Sequence, residues 1–246
     1  MNPFMKLPRV PIVHGRSDLI IERCEGKRVL HLGCVDAGLL TERYRSGQLM
    51  HQKIHGVAQS LWGVDIDEEG IAFLRSVGFD NLLAADVCQL DRYPELQDQT
   101  FDVVVASEVV EHLQNPGAFL ETVKVVMKPG HTELIITVPN AFRVGTLLWM
   151  FRGVEFVHPE HYYWFSYYTI QNLLRSNGFD IHELYVYSLQ QLDPPAREAA
   201  RSWPGYIRSY LRALPRRLVV PLLYKITPFF GEGIIIVGKL PGHLQG

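Results

Sequence analysis

Seven short apolar runs, separated by stretches with helical spacing, constrain this chain more than any other feature. The runs fall at 28–33, 61–65, 81–85, 101–106, 132–138, 181–188 and 233–239. Several, such as Phe101-Asp-Val-Val-Val-Ala106, are continuous rather than alternating, as expected of strands covered on both faces. Helices are expected between them. Residues 67–77 put Ile71, Leu74 and Val77 on one face, and Gly78 stops the pattern. Residues 116–128 align Phe119, Leu120, Val123 and Met127, with Pro116 at the start and Pro129-Gly130 after the end. A third helix is expected over 166–177, capped by Ser166 and stopped by Gly178. Strand–helix alternation implies right-handed crossovers and a mainly parallel sheet with helices on both faces.

With 246 residues, the chain suits a single domain. Two stretches interrupt the alternation: an aromatic, loop-rich segment at 140–165, and a proline-marked insertion at 190–231, read as a helical lid before the last strand. The formal net charge of −2 gives no chain-wide basic field for nucleic acid. It conceals a division. Residues 1–189 carry 16 basic and 23 acidic side chains, a net of −7, whereas 190–246 carry 8 and 3, a net of +5. Three scattered cysteines suit a reducing compartment and no disulfide framework. The N-terminus, broken by Pro3, Pro8 and Pro11, does not read as a signal peptide, and no apolar run reaches the ~20 residues of a membrane span. A cytoplasmic protein is expected.

In an open parallel sheet, ligands bind at the carboxyl ends of the strands. After the first run come Gly33-Cys34-Val35-Asp36-Ala37-Gly38, whose glycines permit a tight turn and close backbone approach. No GxGxxG stands there, which weakens a nicotinamide-dependent reading; a plain strand–helix turn is the alternative. After the second run stands Asp65, able to accept hydrogen bonds from both hydroxyls of a ribose or simply to serve the loop. Asp67 reads as a helix cap. After the third run, Asp86 reads as an adenine acceptor or a loop acid. After the fourth come Ser107-Glu108-Val-Val-Glu111-His112. If that turn is helical, Glu108, Glu111 and His112 share one face, suited to a hard cation, to proton transfer or to a capped helix start.

Together these residues resemble the class I S-adenosylmethionine-dependent methyltransferases over about 26–189 plus the final strand. The block 101–130, FDVVVASEVVEHLQNPGAFLETVKVVMKPG, resembles the methyltransferase-domain group that includes ubiquinone-biosynthesis O-methyltransferases and enzymes acting on sugars and surface glycans. The resemblance implies an α/β, Rossmann-like, seven-stranded sheet with an antiparallel last strand. It implies a core of 26–189 plus 232–240 within one domain spanning 1–246. It also implies that S-adenosyl-L-methionine is the cofactor. The loop at Gly33 and Cys34 would cradle its methionine part, Asp65 and Ile66 its ribose, and Asp86 and Val87 its adenine, with Ser107 and Glu108 closing the site. A narrower resemblance joins Glu108, Glu111 and His112 to Val138-Pro-Asn140 and His158-Pro-Glu-His161, as in small-RNA 2′-O-methyltransferases. In such enzymes two acids and histidines hold a divalent ion. It implies a magnesium-like cation on Glu108, Glu111, His112 and His161.

The chain departs from the family pattern at His31, usually acidic, and Val35, usually glycine. These departures motivate a second reading, a weakly cofactor-binding module assisting surface-glycan assembly. The interval from Gly33 to Asp65 is also long. It holds His51 and His55 four apart, read as a surface helix face in preference to a zinc pair. For catalysis, His112, His161 and Glu111 are the expected proton-handling residues. Tyr162 or Tyr163, from the aromatic run 162–168, is expected to face the acceptor. The acceptor is expected to be a small molecule, a glycan or a lipid-linked hydroxyl. Residues 206–226 mix five basic side chains with apolar ones, which suits peripheral membrane contact, an acidic substrate, or a packed lid with its basic face in water.

Overall fold

The computed structural model describes residues 4–188 and 222–242. Eight strands among them form one sheet: β1 (Ile12–His14), β2 (Arg28–Leu32), β3 (Ser60–Asp65), β4 (Leu82–Ala84), β5 (Val103–Ser107), β6 (Glu133–Pro139), β7 (Asp180–Ser188) and β8 (Gly233–Lys239). Their order is β1-β7-β8-β6-β5-β2-β3-β4. Only β8 runs antiparallel, to both β6 and β7. The seven expected strands are present within two residues of the expected bounds. The eighth, β1, was not expected, because the prolines around it read as breakers. Pro11 has no N–H to donate, but its carbonyl accepts from Val186, and β1 lies at the sheet edge where a missing donor costs least.

The described residues include the helices α1 (Arg16–Cys24), α2 (Leu40–Arg45), α3 (Met50–His55), α4 (Glu68–Ser76), α5 (Pro94–Gln97), α6 (Pro116–Val123), α7 (Val144–Met150) and α8 (Tyr167–Ser176), and 222–226 are also helical. Their starts follow from short polar side chains that satisfy the free N–H groups of a first turn. Asp67 accepts from Gly70, and Asn115 from Ala118. Ser166 and Thr169 form a reciprocal capping box. The expected helix over 116–128 is shorter as an α-helix and tightens into a 3₁₀ turn at Lys124–Val126. Within 140–165, expected as loop, α7 forms.

Alternation along the central strands divides the core. Leu30, Leu32, Val104, Ala106, Leu134, Ile136, Ile234 and Ile236 point to one face, where Phe119 and Leu120 of α6 and Ile170 and Leu174 of α8 cover them. Val29, Val103, Val105, Ile135, Ile235 and Val237 point to the other, against Ile20 of α1 and Ile54 of α3. Each buried Val, Leu, Ile or Phe among them contributes about 1.5–3 kcal/mol by leaving water. The carboxyl ends of the strands, at Leu32, Asp65, Ala84, Ser107 and Pro139, line up the turns that follow. Residues 189–221, and with them most of the expected lid and of the basic stretch 206–226, lie outside the described residues. Among the described residues, no helix is long and apolar enough to cross a membrane.

Candidate cofactor and acceptor site

Two departures from the family pattern do not fill the cleft. His31 shares its face of β2 with Val29, away from the turn at Gly33. It is buried and stacked on His51 of α3, with ring centroids 5.5 Å apart and Nδ1 atoms 3.3 Å apart. The expectation of a surface face for His51 is therefore corrected: β2 presents His31 toward α3, and His51 packs on it, while His55 stays exposed against the Phe79 edge. Burial lowers the pKa of His31 to about 4, and of His51 to about 2. Both imidazoles are neutral at neutral pH. Val35 packs among Cys34, Leu49, Ile71 and Leu74, over Gly70. A Cβ at Gly70 would lie 2.4 Å from Val35 Cγ1. The extra side chain at 35 is thus housed by the glycine of α4.

The turn after β2 requires glycine at 33. Its φ is 70°, and an added Cβ would lie 2.4 Å from Val109 Cγ2. Asp65 closes the same turn. Its Oδ2 accepts from the Val35 N–H at 2.8 Å, and its Oδ1 from Asp67 N–H at 3.1 Å. Burial raises its pKa, and these backbone hydrogen bonds oppose the rise. Each oxygen keeps a further lone pair for a ligand hydroxyl. Beside it Ile66 is 74% exposed, an apolar plate at a strand end. Cys34 and Val87 are buried in the core, so only their backbone is placed to meet a ligand. Asp86 caps the 3₁₀ turn Val87–Arg92, accepting from Cys88 N–H at 2.8 Å and from Gln89 Nε2 at 2.9 Å. The residues at 33, 65 and 66 fit a nucleoside with an amino-acid tail: a close backbone approach, a diol acceptor and an apolar plate.

Glu108 departs from its expected place. The turn after β5 is not an α-helix: Glu108 has φ 57°, and a 3₁₀ turn forms only at Val110–His112. Its carboxylate points at Arg16, the first residue of α1, with Oε2 3.0 Å from Nη1. Oε1 accepts from Thr137 Oγ1 at 2.9 Å and from Tyr187 OH at 3.2 Å. Ser107 Oγ lies 3.0 Å from the same Thr137 hydroxyl. Sequence reasoning missed Arg16, because a charged residue before the first core strand carries no periodic or motif signal. It is a half-buried cation: desolvation opposes its charge, and Glu108, Tyr187 and Asp36 favour it.

Three imidazoles come together beyond this turn. The ligand nitrogens of His112, His158 and His161 lie within 4.8 Å of one another. Two of the expected cation ligands, His112 and His161, are thus joined by His158, which was not expected among them. Glu108 and Glu111 do not join the group, because the left-handed turn at 108 breaks the shared helical face. Glu111 is fully buried, with neither carboxylate oxygen hydrogen-bonded. Burial, with the Glu108 charge second, raises its pKa to about 9. His161 Nδ1 is likewise buried without a partner. Burial lowers the pKa of His161 to about 4, reinforced by His112 and His158, and also lowers that of His112. The free Nδ1 of His161 suits proton acceptance, and the three imidazoles together suit a borderline cation. Tyr162 and Tyr163 are exposed beside them. The Tyr163 hydroxyl donates to the Gln114 carbonyl at 2.9 Å, and Gln114 Nε2 donates to Tyr162 OH at 3.2 Å. Phe142, Trp149, Met150, Phe151 and Phe156, in the segment between β6 and α8, are exposed.

Comparison with known proteins agrees with this geometry. A family model described as "Methyltransferase domain" matches residues 14–184. The chain is 30% identical over 178 residues to the Homo sapiens mitochondrial ubiquinone biosynthesis O-methyltransferase, covering 63% of this chain and 42% of that protein. It is 29% identical over 149 residues to the Hahella chejuensis ubiquinone biosynthesis O-methyltransferase, covering 58% and 56%. The chain therefore spans about half the length of these curated relatives, 42% of one and 56% of the other. In fold it is similar to an Archaeoglobus fulgidus SAM-dependent methyltransferase, with a TM-score of 0.53 at 20% identity, covering 92% of this chain and 95% of that one. It is also similar to the Synechocystis magnesium protoporphyrin IX methyltransferase solved with bound SAH, with a TM-score of 0.52 at 15% identity over 91% and 81%. With a family match over most of its length and the strand-end site in place, the chain belongs to the methyltransferase-domain family, on the fold of the class I S-adenosylmethionine-dependent methyltransferases.

Proposed function

We propose that this chain is an S-adenosylmethionine-dependent O-methyltransferase acting on a small-molecule hydroxyl. The carrying observation is Asp65, a half-committed carboxylate at a strand end that also ties down the glycine turn. Bound S-adenosylmethionine supplies a methyl group already activated on a sulfonium, so the protein's work is alignment and exclusion of water. Asp65 would hold the ribose, Ile66 would cover the adenine, and the backbone at Gly33 would approach the methionine part. The Arg16 guanidinium offers a positive charge to the α-carboxylate of the amino-acid end. Of the two expected bases, His161 has the free buried Nδ1 that can accept the acceptor's proton.

The ubiquinone-pathway relatives support an oxygen acceptor. The exposed apolar side chains of Phe142, Trp149, Phe151 and Phe156 after β6, with Tyr162, favour one with an apolar body, such as a lipid-linked phenol or sugar. Contact with an anionic membrane through 206–226 would serve such an acceptor. Co-sedimentation with anionic vesicles at low salt checks it, and no binding there removes it. A cation-assisted variant is favoured by the group of three imidazoles. Three nitrogens suit zinc or cobalt better than the magnesium first expected. A methyl-transfer screen with labelled S-adenosylmethionine over quinols, sugars and short RNA tests the function. Turnover of a quinol or lipid-linked hydroxyl is the expected result. Tight S-adenosylhomocysteine binding without turnover of any acceptor would favour the non-catalytic module.

A further inference from the structure

Glu108 stands between the proposed cofactor and cation subsites and is committed to one of them. The left-handed backbone at φ 57° is one that L side chains rarely adopt. Three contacts hold the carboxylate there: Arg16 at 3.0 Å, Thr137 at 2.9 Å and Tyr187 at 3.2 Å. Arg16 is itself fixed, since Gly15 N–H donates to the Ser188 carbonyl and the guanidinium lies 5.9 Å from the Tyr187 ring centroid. Four residues on, His112 opens a group of three imidazoles that no carboxylate oxygen joins among the described residues. The Glu108 charge already acts on His112 and His161.

We propose that Glu108 is a two-position carboxylate that couples occupation of the cofactor subsite to occupation of the cation subsite. This rests on the cofactor and cation readings above. Arg16 is a half-buried cation that also feels the charge of Asp36 in the glycine turn, so an incoming α-carboxylate contends with Glu108 for the same N–H groups. Two carboxylates on one guanidinium repel, and rotation about the Glu108 side-chain bonds moves the displaced charge toward the imidazoles. A cation there gains the negative oxygen it lacks. In the opposite order, a cation draws Glu108 off Arg16 and leaves the guanidinium free for the α-carboxylate. Glu108 is thus a positioning residue whose two stations are alternatives. Linkage requires the two effects to be equal in size.

The test is a titration of the full chain with Co²⁺, followed by its visible absorption, with and without saturating S-adenosylhomocysteine. Calorimetry with S-adenosylhomocysteine, with and without Co²⁺, gives the reverse leg. About tenfold tightening is expected in each direction, within the usual range of such couplings. Glu108→Gln should bind both, with each indifferent to the other within about twofold. Arg16→Gln frees Glu108 permanently, so it should bind Co²⁺ without S-adenosylhomocysteine as tightly as the unaltered chain binds it with S-adenosylhomocysteine. Equal Co²⁺ affinities with and without S-adenosylhomocysteine in the unaltered chain would overturn the coupling and leave both subsites standing. Binding of S-adenosylhomocysteine with no Co²⁺ binding would overturn the coupling through failure of the cation reading. Absence of S-adenosylhomocysteine binding would overturn it through failure of the cofactor reading.

Discussion

Gly33 and Glu111 carry the account at the scale of single residues. Gly33 combines a left-handed backbone with a neighbour that leaves no room for a Cβ. Gly33→Ala should weaken S-adenosylhomocysteine binding at least tenfold and lower stability by about 1–3 kcal/mol, read by calorimetry and urea unfolding. Glu111 is a buried carboxyl without a partner, and its folded pKa of about 9 lies above the ordinary 4.5. A raised folded pKa means stability that is present below about 4.5 and lost as pH rises toward about 9. Glu111→Gln should therefore raise the melting temperature of the metal-free chain, and the gain should grow from pH 5 to pH 8. If Glu111 serves the reaction, the same variant should lose most of its turnover. A melting temperature that falls, or a gain independent of pH, would contradict this reading. The identity of these residues was legible in the sequence. The orientation of Glu108 was not, because a single left-handed residue after β5 breaks the helical face that the i, i+3, i+4 spacing suggested.

At the scale of elements, continuous apolar runs made the strands legible, since a strand buried on both faces has no other composition open to it. Caps made the helices legible: Asp67 and Ser166 accept the expected backbone bonds, and Asn115, not singled out in the sequence, caps the helix that opens at Pro116. The strand β1 and the helix α7 were hidden. A three-residue edge strand has no period to read, and aromatic residues 140–165 carry both loop and helix signals. The contact of β2 with α3 gives a second pH test. His31 and His51 are buried neutral, with folded pKa values of about 4 and about 2. The unfolded chain takes up protons near 6.5, so this contact is at full strength above that pH and weakens as pH falls toward 4. His51→Phe should lose stability less steeply than the unaltered chain between pH 6.5 and 5 in denaturant titrations. Reading the difference between the two removes the opposite slope of Glu111. Parallel curves would show that the pair does not titrate. On the other face, Phe119→Ala removes a fully buried ring from α6 and should cost about 3–5 kcal/mol.

At the scale of the molecule, the sheet places the strand-end turns side by side and brings α1 across them, so that Arg16, from before the first core strand, meets Glu108. Distant segments also meet where Asn140 Nδ2 donates to the carbonyls of Phe229 and Gly231, tying the end of β6 to the approach to β8. The charge division, −7 before residue 190 and +5 after it, is legible in the sequence alone and points to the basic segment for acidic partners. The central claim is that the turn at Gly33 and the carboxylate of Asp65 bind S-adenosylmethionine. Calorimetry of the full chain with S-adenosylhomocysteine tests it most directly. The expected result is one molecule bound per chain, with affinity falling at least tenfold in Asp65→Ala while the circular dichroism spectrum is unchanged. No binding by the unaltered chain, or equal binding by the variant, would contradict it.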